Sequence, residues 1–245
     1  MPAQFIRRLT GNTRSRTADI QLGIMLAFIA GAINAGGFLA VGQYTSHMTG
    51  MVSAIADRLA FRHFSLALTA LGFVFSFTLG AAVSTLIIRW ARTRALQSEF
   101  ALPLMLEALL LLIFGISAAK IPSAFALPLT TMIALLCFIM GVQNAIITKI
   151  SRAEIRTTHV TGLITDIGIE IGRYLHGFPK KDLRHGLYES RLKLHLSLLF
   201  AFLAGGIVGA LTFRHYGFVI TIPLALLLLI LAAVPVLDDL LKRRA

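Results

Sequence analysis

Acidic residues are scarce in this chain. Asp and Glu number 11 against 23 Lys and Arg in 245 residues. Charge of either sign is thin, at 14%, while 57% of the residues are hydrophobic. A soluble domain averages about 25% charged and about 45–50% apolar, and no soluble core absorbs long runs that carry no charge at all. Cysteine is nearly missing. The lone Cys137 excludes an internal disulfide and the paired spacing of a cysteine metal site, and reads as a small apolar packing residue. Strict apolar–polar alternation is missing too, as in "PLALLLLILAAVPV" from Pro223, which excludes a transmembrane barrel. The apolar run that opens at Ile20 is longer than the core of a cleavable signal. No nucleophile–base set stands at a recognisable spacing, so an enzyme is not expected. Two histidines give no complete ligand set, so neither a metal nor another cofactor is expected.

What is present is length of apolar helix. Runs of about 20 apolar residues read as membrane-spanning helices. Six occur, near 20–42, 65–89, 100–119, 123–148, 192–213 and 216–237. With the N-terminus on the cytoplasmic side, 19 of the 23 Lys and Arg fall on that side. The other four, Arg58, Arg62, Lys120 and Arg214, fall outside. The richer side is cytoplasmic, so both termini are expected in the cytoplasm of a bacterial inner membrane protein. The net charge of +12 is spent there, at a juxtamembrane surface that favours anionic lipid headgroups, and nucleic acid is not an expected partner.

The chain also repeats itself. "AFIAGAINA" (27–35) matches "CFIMGVQNA" (137–145), and Thr45-x-His47-x-Thr49-Gly50 matches Thr157-x-His159-x-Thr161-Gly162. "FSFTLGAAVSTLIIR" (75–89) matches "FAFLAGGIVGALTFR" (200–214), and Pro103-Leu104 matches Pro223-Leu224. Four blocks in one order make a duplication of three spans. An odd number of spans turns the second copy upside down, the inverted repeat of many transporters. The expected organisation is a basic segment over 1–19, repeats over 20–119 and 120–238, and a basic tail over 239–245.

Each first span is followed by a polar turn and a short helix, near 49–62 and 161–176. Such a helix either lies flat in the interface or re-enters the membrane as a half-helix. Thr49 and Thr161 read as N-caps, with Gly50 and Gly162 leaving the first N–H groups open. Exposed amides at the positive end of a helix favour an anion, and His47 and His159 add donors that change charge near neutrality. A threonine-capped turn is also a common way simply to begin a helix. Asn34, Gln143 and Asn144 lie within spans beside glycines. They line the same site or make interhelical hydrogen bonds, worth about 1 kcal/mol each. Thr45 and Thr158 belong to the same phrases. Glu107 is the acid deep in a span and the candidate coupling group for protons or cations.

The stretches "GAINAGGFLAVGQYTSHMTG" and "GVQNAIITKISRAEIRTTHVTGLITDIG" resemble the YoaK-like family of bacterial integral membrane proteins, over nearly the whole chain from about Ile20. The resemblance implies an all-helical membrane architecture and supplies no activity or substrate. The expectation is therefore an all-α membrane protein, six transmembrane helices in two inverted three-helix repeats, that works as a transporter or channel for a small solute, anionic or polar by preference. Its rivals are a membrane scaffold, which predicts a dry and tightly packed centre, and an intramembrane enzyme. The sequence leaves homo-oligomerisation open.

Overall fold

The computed structural model describes residues 2–11, 14–118, 128–177 and 185–242. The expected boundary at 119/120, and Lys120, Lys180, Lys181, Arg184, Arg243 and Arg244, lie outside the described residues. Nine α-helices occur among the described residues, and no strand. They are α1 (Pro2–Thr10), α2 (Arg16–Val41), α3 (Met48–Ala60), α4 (Phe64–Thr93) and α5 (Ala101–Ala118), then α6 (Leu129–Ile150), α7 (Val160–Gly177), α8 (His185–Tyr216) and α9 (Thr221–Lys242).

Four stretches are long and apolar enough to cross a bilayer: Arg16–Leu39, Phe64–Thr93, Leu129–Ile150 and Glu189–Lys242. This is a multi-pass integral membrane architecture. The last stretch has 54 residues and as one straight helix would run about 80 Å, far beyond the ~30 Å hydrocarbon core. It is broken at Gly217, whose φ is +62°, by a short 3-10 turn over Gly217–Ile220. Glycine tolerates that left-handed backbone where other residues strain. The break separates α8 from α9, and α9 lies back along the shorter apolar helix α5.

The main packing pairs are α2 with α8, α4 with α6, and α5 with α9, while α3 lies on α4 and α7 on α8. Glycine decides the first two crossings. A Cβ on Gly31 would stand 2.0 Å from the Phe202 carbonyl oxygen, and one on Gly205 would stand 1.9 Å from that of Phe28. The α4–α6 crossing repeats this at corresponding positions of the duplicated blocks. Gly141 faces the Phe77 carbonyl oxygen at 2.0 Å, and Gly80 faces that of Phe138 at 2.1 Å. Small residues at such interfaces let membrane helices touch backbone to backbone. The helices differ in depth. Of their apolar windows 61% is buried in α2 and 67% in α6, against 22% in α4. Leu68, Phe75 and Leu86 on α4 are exposed apolar side chains that suit lipid.

Helices at both ends pack onto the rest of the structure. α1 is a helix docked on α9, where Arg7 pairs with Asp238 at 2.6 Å and Thr10 Oγ1 donates to the Leu231 carbonyl at 2.6 Å. Residues 239–242 continue α9. Buried Asp239 there accepts from the Gln97 and Ser98 N–H groups and from Ser98 Oγ at 3.0, 2.9 and 2.6 Å. It thereby satisfies donors ahead of α5 that would otherwise lack partners.

Candidate functional site

The two short helices begin as a matched pair, though not as the threonine caps predict. α3 starts at Met48, with His47 in the cap position and no capping bond from its side chain. α7 starts at Val160, directly after His159. Thr49 and Thr161 therefore sit inside the first turn, and the N-cap assignment is corrected. The turns are held from behind instead. Asn34 Oδ1 on α2 accepts from the Ser46 N–H at 3.3 Å and from Ser46 Oγ at 3.0 Å. Asn144 Oδ1 on α6 accepts from Thr158 Oγ1 at 2.7 Å, while its Nδ2 donates to the Met140 carbonyl at 2.8 Å. Fastened this way, each turn closes two residues earlier than a threonine cap allows. Oγ1 of the neighbouring Thr45 and Thr157 is buried at both turns without a hydrogen-bond partner.

A cavity of about 540 Å³ lies between the two helix starts. From the first turn it is lined by Asn34, Tyr44, Ser46, His47, Met48 and Thr49. From the second it is lined by Arg156, Thr158, His159, Val160, Thr161 and Gly162. Phe77 and Phe202, which share a position in the duplicated blocks, complete the wall. Arg156 is the one charged residue among the described lining residues, which include no carboxylate. Burial first, and then the positive charge of Arg156, hold the His159 imidazole below its ordinary pKa. That shift favours the neutral imidazole, which has one ring N–H to donate.

The predicted residues divide. Asn34, His47, Thr49, Thr158, His159, Thr161 and Gly162 meet at the cavity, and Thr45, Gly50, Gln143, Asn144 and Glu107 do not line it. Gly50 makes room for the His47 ring, since a Cβ there would come within 2.7 Å of Nδ1. It borders a smaller cavity of about 210 Å³ that shares Tyr44 and His47 with the large one. Gln143 Nε2 donates to Glu107 Oε1 at 2.8 Å, joining α6 to α5 in a fully buried contact. Asn144 bonds within its helix and to the following turn. Gln143 makes the interhelical bond, whereas Asn144 makes none between helices among the described residues.

Arg156 is the residue that sequence reasoning missed. It stands at the head of "RTTHVTG", one of the 19 Lys and Arg assigned to the cytoplasmic side. Its counterpart in the duplicated phrase is Tyr44, so comparing the two phrases gives no signal for it. The guanidinium lies beside Gly162, where a Cβ would be 3.2 Å from Nη1. Phe77 and Phe202 served only as repeat markers.

The family described as "Protein of unknown function (DUF1275)" matches residues 22–234. The UPF0700 transmembrane protein YoaK of Bacillus subtilis (strain 168) is 27% identical over 209 residues, which cover 83% of this chain and 88% of that protein. No solved structure matches.

Proposed function

We propose, for a chain that belongs to the DUF1275 family of proteins of unknown function, that it moves a small anionic solute across the membrane. The 540 Å³ cavity is its binding site. One observation carries this reading. Two helix starts meet at one cavity that holds Arg156, His47 and His159 and, among its described lining, no carboxylate. Backbone amides at helix starts favour negative charge, and a guanidinium adds a permanent cation.

The architecture in this reading is six spans in two inverted repeats, with both termini cytoplasmic and α3 and α7 re-entrant. Several matched pairs support it. Gly31 meets Phe202 as Gly141 meets Phe77, and Gly205 meets Phe28 as Gly80 meets Phe138. Ser46 is bonded to Asn34 as Thr158 is to Asn144. Exchange of the two halves maps each contact onto its twin, which is what a two-fold relation requires. Alternating access by rocking such repeats about a central site is a known solution. Glu107 keeps the role of candidate coupling group, acting through Gln143 and away from the solute. The protein in this reading is not an enzyme. A scaffold needs no cavity between the two histidines, and the cavity of about 540 Å³ there supports the transport reading.

The test is electrical. Purified protein in proteoliposomes on a solid-supported membrane is given jumps of chloride, acetate, sulfate and phosphate. At least one anion gives a saturable current that His47→Ala/His159→Ala and Arg156→Gln each reduce at least tenfold. Currents in both variants equal to the wild type, or none from any anion with folded protein, sink the reading.

A further inference from the structure

A second cavity, of about 430 Å³, lies where α2 begins and where α4 and α6 end. Its charges are Arg14, Arg16, Arg92, Lys149 and Arg152 against Asp19, Glu99 and Glu154. Each carboxylate is already taken. Arg14 Nε bonds Asp19 at 2.6 Å, Arg16 Nη2 bonds Glu154 at 2.6 Å, and Arg92 Nε bonds Glu99 at 2.9 Å. Two positive charges remain. Lys149 and Arg152 are exposed, and neither makes a side-chain hydrogen bond or ion pair among the described residues.

Arg14 points to what they wait for. Its side chain is only 10% exposed. Nε is held by Asp19, Nη1 donates to the Leu9 carbonyl at 2.5 Å, and the guanidinium carbon lies 5.3 Å from the centre of the Phe100 ring. With both contacts fixed, the third nitrogen, Nη2, is buried and has no partner. A buried donor on a charged group is rarely left unmade in a folded protein. The side chain cannot turn Nη2 elsewhere without giving up Asp19 or Leu9. The start of α2, capped by Ser15 on the Ala18 N–H at 3.2 Å, adds the positive end of a helix. The ends of α4 and α6 oppose it, and the two unpaired cations outweigh them.

A site walled by a guanidinium with an unmade donor and carrying two exposed, unpaired cations suits a compact group of high negative charge with several acceptor oxygens, arranged as in phosphate. We infer that this cavity binds a phosphate group, with Lys149 and Arg152 as its counter-charges and the Arg14 guanidinium, one of whose donors is unmade, in its wall. The group is carried by an anionic lipid headgroup or by a soluble phosphate. The site shares none of its described lining residues with the solute cavity, and stands or falls apart from it.

The test uses the full chain, unfolded thermally in two settings. In lipid-free detergent, sodium phosphate is titrated against sodium chloride of equal ionic strength. In nanodiscs, phosphatidylcholine alone is compared with phosphatidylcholine containing phosphatidylglycerol. A ligand of the native state raises Tm with its concentration. The expected result is a rise in at least one setting, shifted to about tenfold higher ligand or more in Lys149→Gln/Arg152→Gln. Both side chains are exposed, so that variant keeps the wild-type Tm without ligand. Removing the same charge elsewhere, as Arg62→Gln/Arg214→Gln, leaves the response intact. A rise with phosphatidylglycerol alone identifies a headgroup, and a rise with free phosphate identifies a soluble phosphate. No rise in either setting, or an equal response in the Lys149/Arg152 variant, overturns the inference.

Discussion

Gly31 on α2 lies against the carbonyl oxygen of Phe202 on α8, leaving 2.0 Å for a β-carbon that is not there. The position has no slack, because the obstacle is backbone. Gly31→Ala therefore overpacks the crossing and costs about 1–3 kcal/mol. Gly141→Ala, at 2.0 Å from the Phe77 carbonyl oxygen, costs a similar amount. Gly72 within α4 has nothing within 4 Å. Gly72→Ala gains up to about 1 kcal/mol of helix propensity. Thermal unfolding of the three purified variants ranks them, and a tolerated Gly31→Ala contradicts the close crossing.

The fastening of the two turns gives unequal effects. Thr158→Val removes the single bond recorded from Thr158 to Asn144 Oδ1 and costs about 1 kcal/mol. Ser46→Ala removes only one of two donors to Asn34, because the Ser46 N–H stays. It is the milder change in the same unfolding assay.

Glu107 separates structure from coupling. Glu107→Leu leaves the Gln143 amide buried without its acceptor and costs about 1–3 kcal/mol. Glu107→Gln keeps an acceptor oxygen and holds Tm close to wild type. Should Glu107 move protons, Glu107→Gln also erases the pH dependence of the anion current while leaving the protein folded. A pH dependence unchanged in that variant confines Glu107 to packing.

His159 sets a pH response. Its folded pKa lies below the ordinary histidine value of about 6.5, through burial and Arg156. Folding therefore favours the neutral ring. The associated stability is complete above the unfolded pKa and is lost as pH falls through the folded one. Tm declines on acidification from pH 7, and His159→Gln flattens that decline. Arg156→Gln also flattens it, since the folded pKa then moves back toward the unfolded one. A decline identical in all three proteins assigns the titration to other groups.

Much of this was readable in advance because it rests on composition and on repetition. Charge-free runs announce α2, α4, α6 and α8, and the two Thr-x-His-x-Thr-Gly phrases announce the starts of α3 and α7. The two phrases carry His47 and His159 at matching positions, and both histidines line one cavity. The rest depends on partners distant in sequence. Nothing near Gln143 says that Glu107 on another helix accepts its hydrogen bond. Thr49 and Thr161 pass for caps until the upstream bonds to Asn34 and Asn144 are known. Arg156 has Tyr44 as its counterpart, so the repeated phrase carries no sign of it.

The glycine crossings carry a consequence in time. Each first span finds its backbone partner in the opposite half: α2 with α8, and α6 with α4. A ribosome delivers α2 complete at residue 41 and α8 complete at residue 216, roughly 175 residues later. At about 5–20 residues per second that is a wait of about 10–35 s. Through that interval the glycine face of α2 lies open to lipid or to whatever else the membrane offers. α4 waits a shorter time, until residue 150. Of the two glycine crossings, the later to close is thus the one made by the first span inserted, and half a chain cannot rehearse the assembled protein.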